Sequence, residues 1–224
     1  MPRRVASARF VISAAGPRDF PTDGLPEIAM VGRSNVGKST LINALVGQVV
    51  ARTSASPGKT RLVNVYRIEP NAGAPLYLVD LPGYGHAGGG DKARQEFAAL
   101  TGQYFASRIA SAGVNDGHGG RGQGDHKGRP YSEVAGSTLS GVILAIDARH
   151  PGMASDADAV RWAGKLGLPF RLVATKADKL KQAERAKLAR ACATAFGLPP
   201  LVTSTETGEG LDELWRLIRD WAGG

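Results

Sequence analysis

A short glycine turn near the start of the chain constrains the fold more than any other feature. Residues 32–39 read Gly-Arg-Ser-Asn-Val-Gly-Lys-Ser. Before the turn stands the apolar run EIAMV (27–31). After it comes STLINALVG, where Leu41, Ile42, Leu45 and Val46 recur at helical spacing and Gly47 offers a stop. The order is strand, loop, helix. Further strands are expected at 62–68, 76–81, 139–147, 170–175 and 198–203, and further helices at 91–110, 155–165, 179–196 and 211–221. EPNAGAP, between the second and third strands, is of hairpin-loop length. Strands alternating with helices call for an α/β fold, here a mostly parallel six-stranded sheet with helices on both faces. ARFVIS at 8–13 offers a possible additional edge strand. The chain divides into an N-terminal extension (1–24) and one domain (25–224). No internal repeat is visible.

Composition narrows the class. The chain has 224 residues, 42% of them apolar and 21% charged, which supports a proper core in a single α/β domain. No apolar run approaches the roughly 18–20 residues needed to span a bilayer, and the N-terminus lacks a signal-like stretch. The single cysteine, Cys192, excludes an internal disulfide and reads as a small filler on a helix. A cytoplasmic protein without a membrane role is expected. The net charge of +8 and pI near 9.9 favour contact with polyanions, RNA first, although solubility alone accounts for a charge of this size. Residues 113–136, crowded with glycine and polar groups, cannot bury enough surface to offset ordering and read as a flexible insertion. Its Asp116, His118, Asp125 and His126 match no familiar metal-ligand spacing.

The chemistry lies in loops after the strands. In the turn from Gly32 through Arg33, Ser34, Asn35, Val36 and Gly37 to Lys38 and Ser39, the glycines let successive amides point at phosphate oxygens. Lys38 then charges the terminal phosphates, and the Ser39 hydroxyl ligates magnesium. Asp80, at the end of the third strand, is placed to hold that ion through a water, and Gly83 frees its amide for a γ-phosphate. Thr60, in SPGKTR, can add a second hydroxyl to magnesium from a loop of switching type. Thr175-Lys176-Ala177-Asp178 decides the base. One carboxylate accepts both N1–H and the N2 amino group of guanine, whereas adenine presents a bare acceptor there, a distinction worth about 10⁴–10⁵ in selectivity. Asp178 is the specificity residue, with the Lys176 stem against the base face. A plain helix cap at Asp178 is the alternative. Thr203, Ser204 and Thr205 offer backbone amides to guanine O6, or cap the last helix.

The set GRSNVGKS, PGKTR, DLPGYG, TKAD and DARHP (147–151) resembles the bacterial EngB GTPases, from the class that includes Era, TrmE, EngA and the septins. The resemblance covers about residues 8–221 and implies a Ras-like fold, GTP or GDP with Mg2+ as ligand and cofactor, and GTP hydrolysis. It also implies a role in assembling the large ribosomal subunit, with its rRNA as partner, and in normal cell division and septation. Carried over by position, nucleotide contacts fall on 32–39, on Gly58, Lys59, Thr60, Arg61 and Leu62, on Asp80, Leu81, Pro82 and Gly83, on Thr175–Asp178 and on Thr203–Thr205. Magnesium falls on Ser39 and Thr60, and Lys38, Thr60 and Gly83 serve the reaction. Two departures stand out: the 113–136 insertion is longer than the family's usual connection, and relatives commonly carry a phenylalanine and two small residues where Thr203-Ser204-Thr205 stands. Tyr84 occupies the position of the water-orienting glutamine of many small GTPases, so slow intrinsic turnover is expected. Asn35 stands where some relatives bind potassium, making K+ a candidate positive finger. A module that senses GTP and GDP without useful hydrolysis is the competing reading, and an adenine-specific kinase or ATPase is disfavoured by Asp178. His86 and His150 adjoin motifs but read as surface or switch-packing residues. No DNA partner is expected, and the chain is expected to be a monomer. Asp178→Asn should weaken GTP binding and favour xanthine nucleotide; unchanged GTP affinity by titration contradicts the guanine reading.

Overall fold

The computed structural model describes residues 4–52, 62–84, 90–110 and 138–223. The strands are β1 (Val5–Ala14), β2 (Glu27–Gly32), β3 (Val63–Pro70), β4 (Leu76–Asp80), β5 (Leu139–Asp147), β6 (Phe170–Thr175) and β7 (Leu201–Val202). The α-helices are α1 (Lys38–Val46), α2 (Gly90–Ala110), α3 (Ala154–Gly164), α4 (Gln182–Phe196) and α5 (Leu211–Trp221). All seven strands join one sheet in the order β1-β3-β4-β2-β5-β6-β7. β4, β2, β5, β6 and β7 are mutually parallel, and β3 runs against both of its neighbours. Among the described residues no helix is long and apolar enough to cross a membrane.

The sheet therefore has seven strands where six were expected, because β1 pairs with β3 along its length, from Val5 opposite Pro70 to Ala14 opposite Val63. Two register shifts interrupt the pairing, between Val5 and Ser7 and between Phe10 and Ile12. Each shift breaks the two-residue alternation that marks a strand, so the segment reads weakly in sequence although it covers an otherwise open sheet edge. β7 is shorter than expected since Pro199 and Pro200 have no N–H to give to a ladder. α4 begins at Gln182, because a separate 3-10 turn occupies Ala177–Lys179 and the Glu184 carboxylate accepts the Lys181 amide at 2.7 Å.

Each parallel strand is apolar on both faces, which requires helices on both sides. In β2, Ile28 and Met30 face a cluster built with Leu41, Ile42 and Leu45 of α1 and Leu214, Trp215 and Ile218 of α5. Ala29 and Val31 face the opposite cluster, with Tyr104 and Phe105 of α2, Val160 of α3 and Leu188 and Cys192 of α4. Fully burying one such leucine contributes about 1.5–3 kcal/mol. Cys192 is buried there, and burial first, then the nearby Asp156 charge, pushes its thiol up to about 11.

The amino end of β2 is pinned by a buried charge. Glu27 accepts hydrogen bonds from Tyr104 (2.9 Å) and Thr138 (3.1 Å), and Arg108 lies 2.8 Å from its Oε1. Arg108 also donates to the Pro21 carbonyl at 2.9 Å and stacks over the Phe20 ring. These contacts fix the carboxyl half of α2 to the end of the sheet opposite the motif loops. Arg108→Ala is expected to lower the unfolding free energy by about 3–5 kcal/mol, because Glu27 would remain buried without its cation. Urea denaturation measures this, and a loss below about 1 kcal/mol contradicts it.

Candidate functional site

β4, β2, β5, β6 and β7 are parallel, so the loops after them all leave the same carboxyl edge of the sheet, and the chain crosses there from one side of β2 to the other. Open α/β sheets form their ligand crevice where strand order reverses in this way. The topology thus gathers motifs that are far apart in sequence.

The 32–39 turn runs from the end of β2 into the start of α1. Gly37 sits at φ 106°, a conformation open to glycine, and Asn35 adopts φ 61°. Lys38 is buried and its Nζ donates to the Gly32 carbonyl at 3.3 Å. Ser39 Oγ donates to Asp80 Oδ2 at 2.9 Å, while the buried Oδ1 has no hydrogen-bond partner among the described residues. Burial pushes the Asp80 carboxyl up and the Lys38 ammonium down; each charge opposes the other's shift, and the Ser39 hydrogen bond also favours the Asp80 carboxylate. A hydroxyl beside a carboxylate with an unused buried oxygen is a hard-oxygen donor set, and it fits magnesium.

The loop after β4 lies on the phosphate-type turn. The parallel pairing of β2 and β4 continues past the strands: Leu81 N donates to the Met30 carbonyl (3.1 Å), Tyr84 N to Gly32 (3.3 Å) and Ser34 N to Tyr84 (3.1 Å). A Cβ on Gly83 would meet Ser34 N at 2.5 Å and its Cα at 2.6 Å, so only glycine permits this approach.

The β6 loop ties into the same turn. Thr175 Oγ1 donates to the Val36 carbonyl at 2.6 Å, with the Ile146 carbonyl 3.0 Å away. Lys176, at φ 60°, reaches the Asn35 carbonyl (2.6 Å) and Asp147 Oδ2 (2.9 Å) through its ammonium. Ala177 N donates to the Thr203 carbonyl at 3.1 Å, which binds the β6 and β7 loops together. Asp178 caps no α-helix: α4 is capped at Lys181. Its carboxylate instead accepts the Ser204 hydroxyl (2.9 Å) and lies 3.1 Å from Lys179 Nζ. Burial opposes its ionisation, but these two donors hold the carboxyl below its usual range. Thr203–Thr205 do not cap α5, whose cap is Gly210. The Thr203 and Ser204 amides donate to the Ala174 (2.8 Å) and Glu209 (3.1 Å) carbonyls, which narrows the expected O6 donor to the Thr205 amide. Gly58, Lys59, Thr60, Arg61 and His86 lie outside the described residues, as does the 113–136 insertion. Leu62 is exposed just before β3, and His150 is exposed after β5.

Comparison with known proteins gives this edge a family. A family model described as 50S ribosome-binding GTPase matches residues 27–116. A probable GTP-binding protein EngB of Pelotomaculum thermopropionicum is 35% identical over 98% of this chain and 98% of its own length. One of Chlorobaculum parvum is 38% identical over 94% of each. The chain belongs to the EngB family. Membership makes it a GTP-binding protein of a GTPase family. In structure, an EngB crystal structure matches with TM-score 0.55 and 19% identity, covering 88% of this chain and 98% of that one. Era of Aquifex aeolicus, bound to GDP.AlF4-, matches with TM-score 0.63 and 23% identity over 87% of this chain and 56% of its own, a likeness of fold.

Three residues of this EngB member, Asp156, Arg185 and Asp147, make contacts that the sequence does not announce. Tyr84 donates its hydroxyl to Asp156 Oδ1 (3.0 Å), and Arg33 Nε of the phosphate-type turn lies 3.1 Å from the same oxygen. Asp156 is fully buried on the first turn of α3, and burial pushes its carboxyl up against the pull of Arg33 and Tyr84. Arg185 of α4 grips Glu209 (2.8 Å) and the Ala177 carbonyl (2.7 Å), bracing the β6 and β7 loops. Asp147, in DARHP, holds Lys176. Its place at the end of a parallel strand, like that of Asp80, was the available signal. Gly83→Ala should lift the Gly83–Tyr84 segment from the turn, since the added carbon overlaps backbone atoms. Loss of hydrogen-exchange protection at the Ser34 amide, with GDP affinity kept within a few-fold, is the expected result; a still-protected amide contradicts it.

Proposed function

We propose that this chain is a slow GTPase switch, binding GTP and GDP with Mg2+, that acts in the cytoplasm as a monomer on the large ribosomal subunit or its rRNA. The observation that carries the reading is the convergence of the 32–39 turn with Asp178 at one sheet edge, joined through Lys176 and Thr175. Residues 25–224 are in this reading the GTPase domain and 1–24 an extension. The amides of the turn and Lys38 hold the polyphosphate, and a γ-phosphate draws the Gly83 amide toward it. Asp178, oriented by Ser204, accepts guanine N1–H and the N2 amino group, and the Thr205 amide meets O6. Ser39 and Thr60 would hold magnesium, with the Asp80 carboxylate beside the Ser39 hydroxyl. When bound there, the ion would supply charge neutralisation to the phosphates that Lys38 and the turn amides hold.

Slow turnover is supported by Tyr84. At the position of the usual water-orienting glutamine stands a phenol whose hydroxyl is bonded to Asp156, and burial pushes that phenol up, so it does not serve as a base. The large-subunit part rests on the matching family's description, and RNA contact in general on the +8 charge and on Era, a fold relative crystallised with nucleotides 1506–1542 of 16S ribosomal RNA, a small-subunit RNA. Likeness to EngB proteins extends the proposal to normal cell division and septation. K+ at Asn35 is proposed as an accelerating charge.

A single-turnover GTPase assay tests the whole reading. Slow hydrolysis alone, faster in potassium than in sodium, should rise on the order of 10³-fold with large-subunit particles, the scale of an added transition-state charge. A rate unmoved by particles or potassium, with tight GTP and GDP binding, would favour the sensing module over the switch.

A further inference from the structure

Asp147 has no assigned role, yet its carboxylate is among the most fully satisfied groups at the motif edge. Oδ1 accepts the Arg149 backbone amide (3.1 Å) and Nε (2.9 Å). Oδ2 accepts Arg149 Nη2 (2.7 Å) and Lys176 Nζ (2.9 Å). A carboxylate offers about four lone-pair sites, and these contacts use four. Burial alone would raise this carboxyl, but the hydrogen bonds from Arg149 and Lys176 outweigh it and keep the group ionised. The residue is also fixed through its backbone, since Ala148 N donates to the Thr175 carbonyl at 3.0 Å and His150 N to the Asp147 carbonyl at 3.0 Å. Asp147 is therefore a rigid anion between the β5 and β6 loops.

Its partner needs such an anchor. Lys176 adopts φ 60°, a left-handed conformation that non-glycine residues rarely hold without external restraint. Its ammonium has two acceptors, the Asn35 carbonyl on the phosphate-type turn and Asp147 on β5. The stem passes close to Gly37, where a Cβ would lie 3.7 Å from Lys176 Cε. A lysine carries about 2 kcal/mol of rotamer entropy, so a stem that is to present one flat side to a base has to be held at its far end. The Asn35 carbonyl alone is a neutral acceptor on a loop; Asp147 adds a full charge on a strand end.

Resting on the nucleotide site argued above, we propose that Asp147 is a positioning residue for guanine-nucleotide binding. It immobilises Lys176 and so couples the base-binding loop to the phosphate-binding turn. Arg149, by neutralising Asp147 from the other side, keeps the carboxylate from drawing the ammonium off the Asn35 carbonyl.

The test is a double-mutant cycle with a fluorescent GDP, using Asp147→Ala, Lys176→Ala and the double variant, with a thermal melt of each. Asp147→Ala is expected to weaken GDP by roughly tenfold in the wild-type background and by less than about twofold in the Lys176→Ala background, as for residues acting as one unit. Asp147→Asn keeps an acceptor but not the charge and should fall between wild type and Ala; it also serves as the cycle's variant if Ala compromises folding. Were Lys176→Ala to bind GDP like wild type, the base-site reading would fail and this inference with it. Should Lys176→Ala lose affinity while Asp147→Ala costs the same factor in both backgrounds, the site stands and the positioning role is overturned. Asp147 variants that lower the melting temperature and leave GDP affinity untouched overturn it as well.

Discussion

The hydrogen bond from the Thr175 hydroxyl to the Val36 carbonyl, 2.6 Å long and buried, is the contact on which the geometry of the site depends. A turn of five residues between a strand and a helix has many conformations of similar energy, and glycine widens the choice. Three neighbours remove that freedom. Thr175 holds Val36 from β6, Lys176 holds Asn35 from the same loop, and the segment after β4 pairs with Gly32 and Ser34. The turn is therefore shaped by residues more than forty positions away in either case, and its preorganisation is a property of the sheet edge.

Electrostatics at this edge follows one rule. Each buried charge has its opposite within the same cluster: Lys38 with Asp80, Arg33 with Asp156, Lys176 and Arg149 with Asp147. For Asp147 the donors outweigh burial and the carboxylate stays ionised. For Lys38 and Asp80 burial wins on both sides, which leaves a cation and an anion each gaining from further partners. In the proposed function a polyphosphate with a divalent ion would supply both, so that binding and charge relief would coincide. At the other end of β2, Glu27 and Arg108 hold α2 by its carboxyl half.

Much of this was legible in the chain. The turn, its flanking strand and helix, the parallel α/β class and the residues of TKAD follow from local patterns, because glycine, a lysine-serine pair and apolar periodicity act over a few residues. β1 was faint because two bulges break its alternation, and β7 was overlong because its prolines cannot join a ladder. Asp178 was open to two readings; the start of α4 at Gln182 and the bond from Ser204 remove it from the helix cap.

The sequence by itself determined which chemical groups are present and which short segments can curl around an anion, since backbone freedom and helix spacing are local properties. Only the tertiary structure decided that Asp147, Asp156 and Arg185 join them, and that the Thr203 and Ser204 amides are engaged within the fold. Hydrogen bonds between loops depend on strand order, and strand order is set by how all the helices and strands bury their apolar faces together, which no single segment encodes.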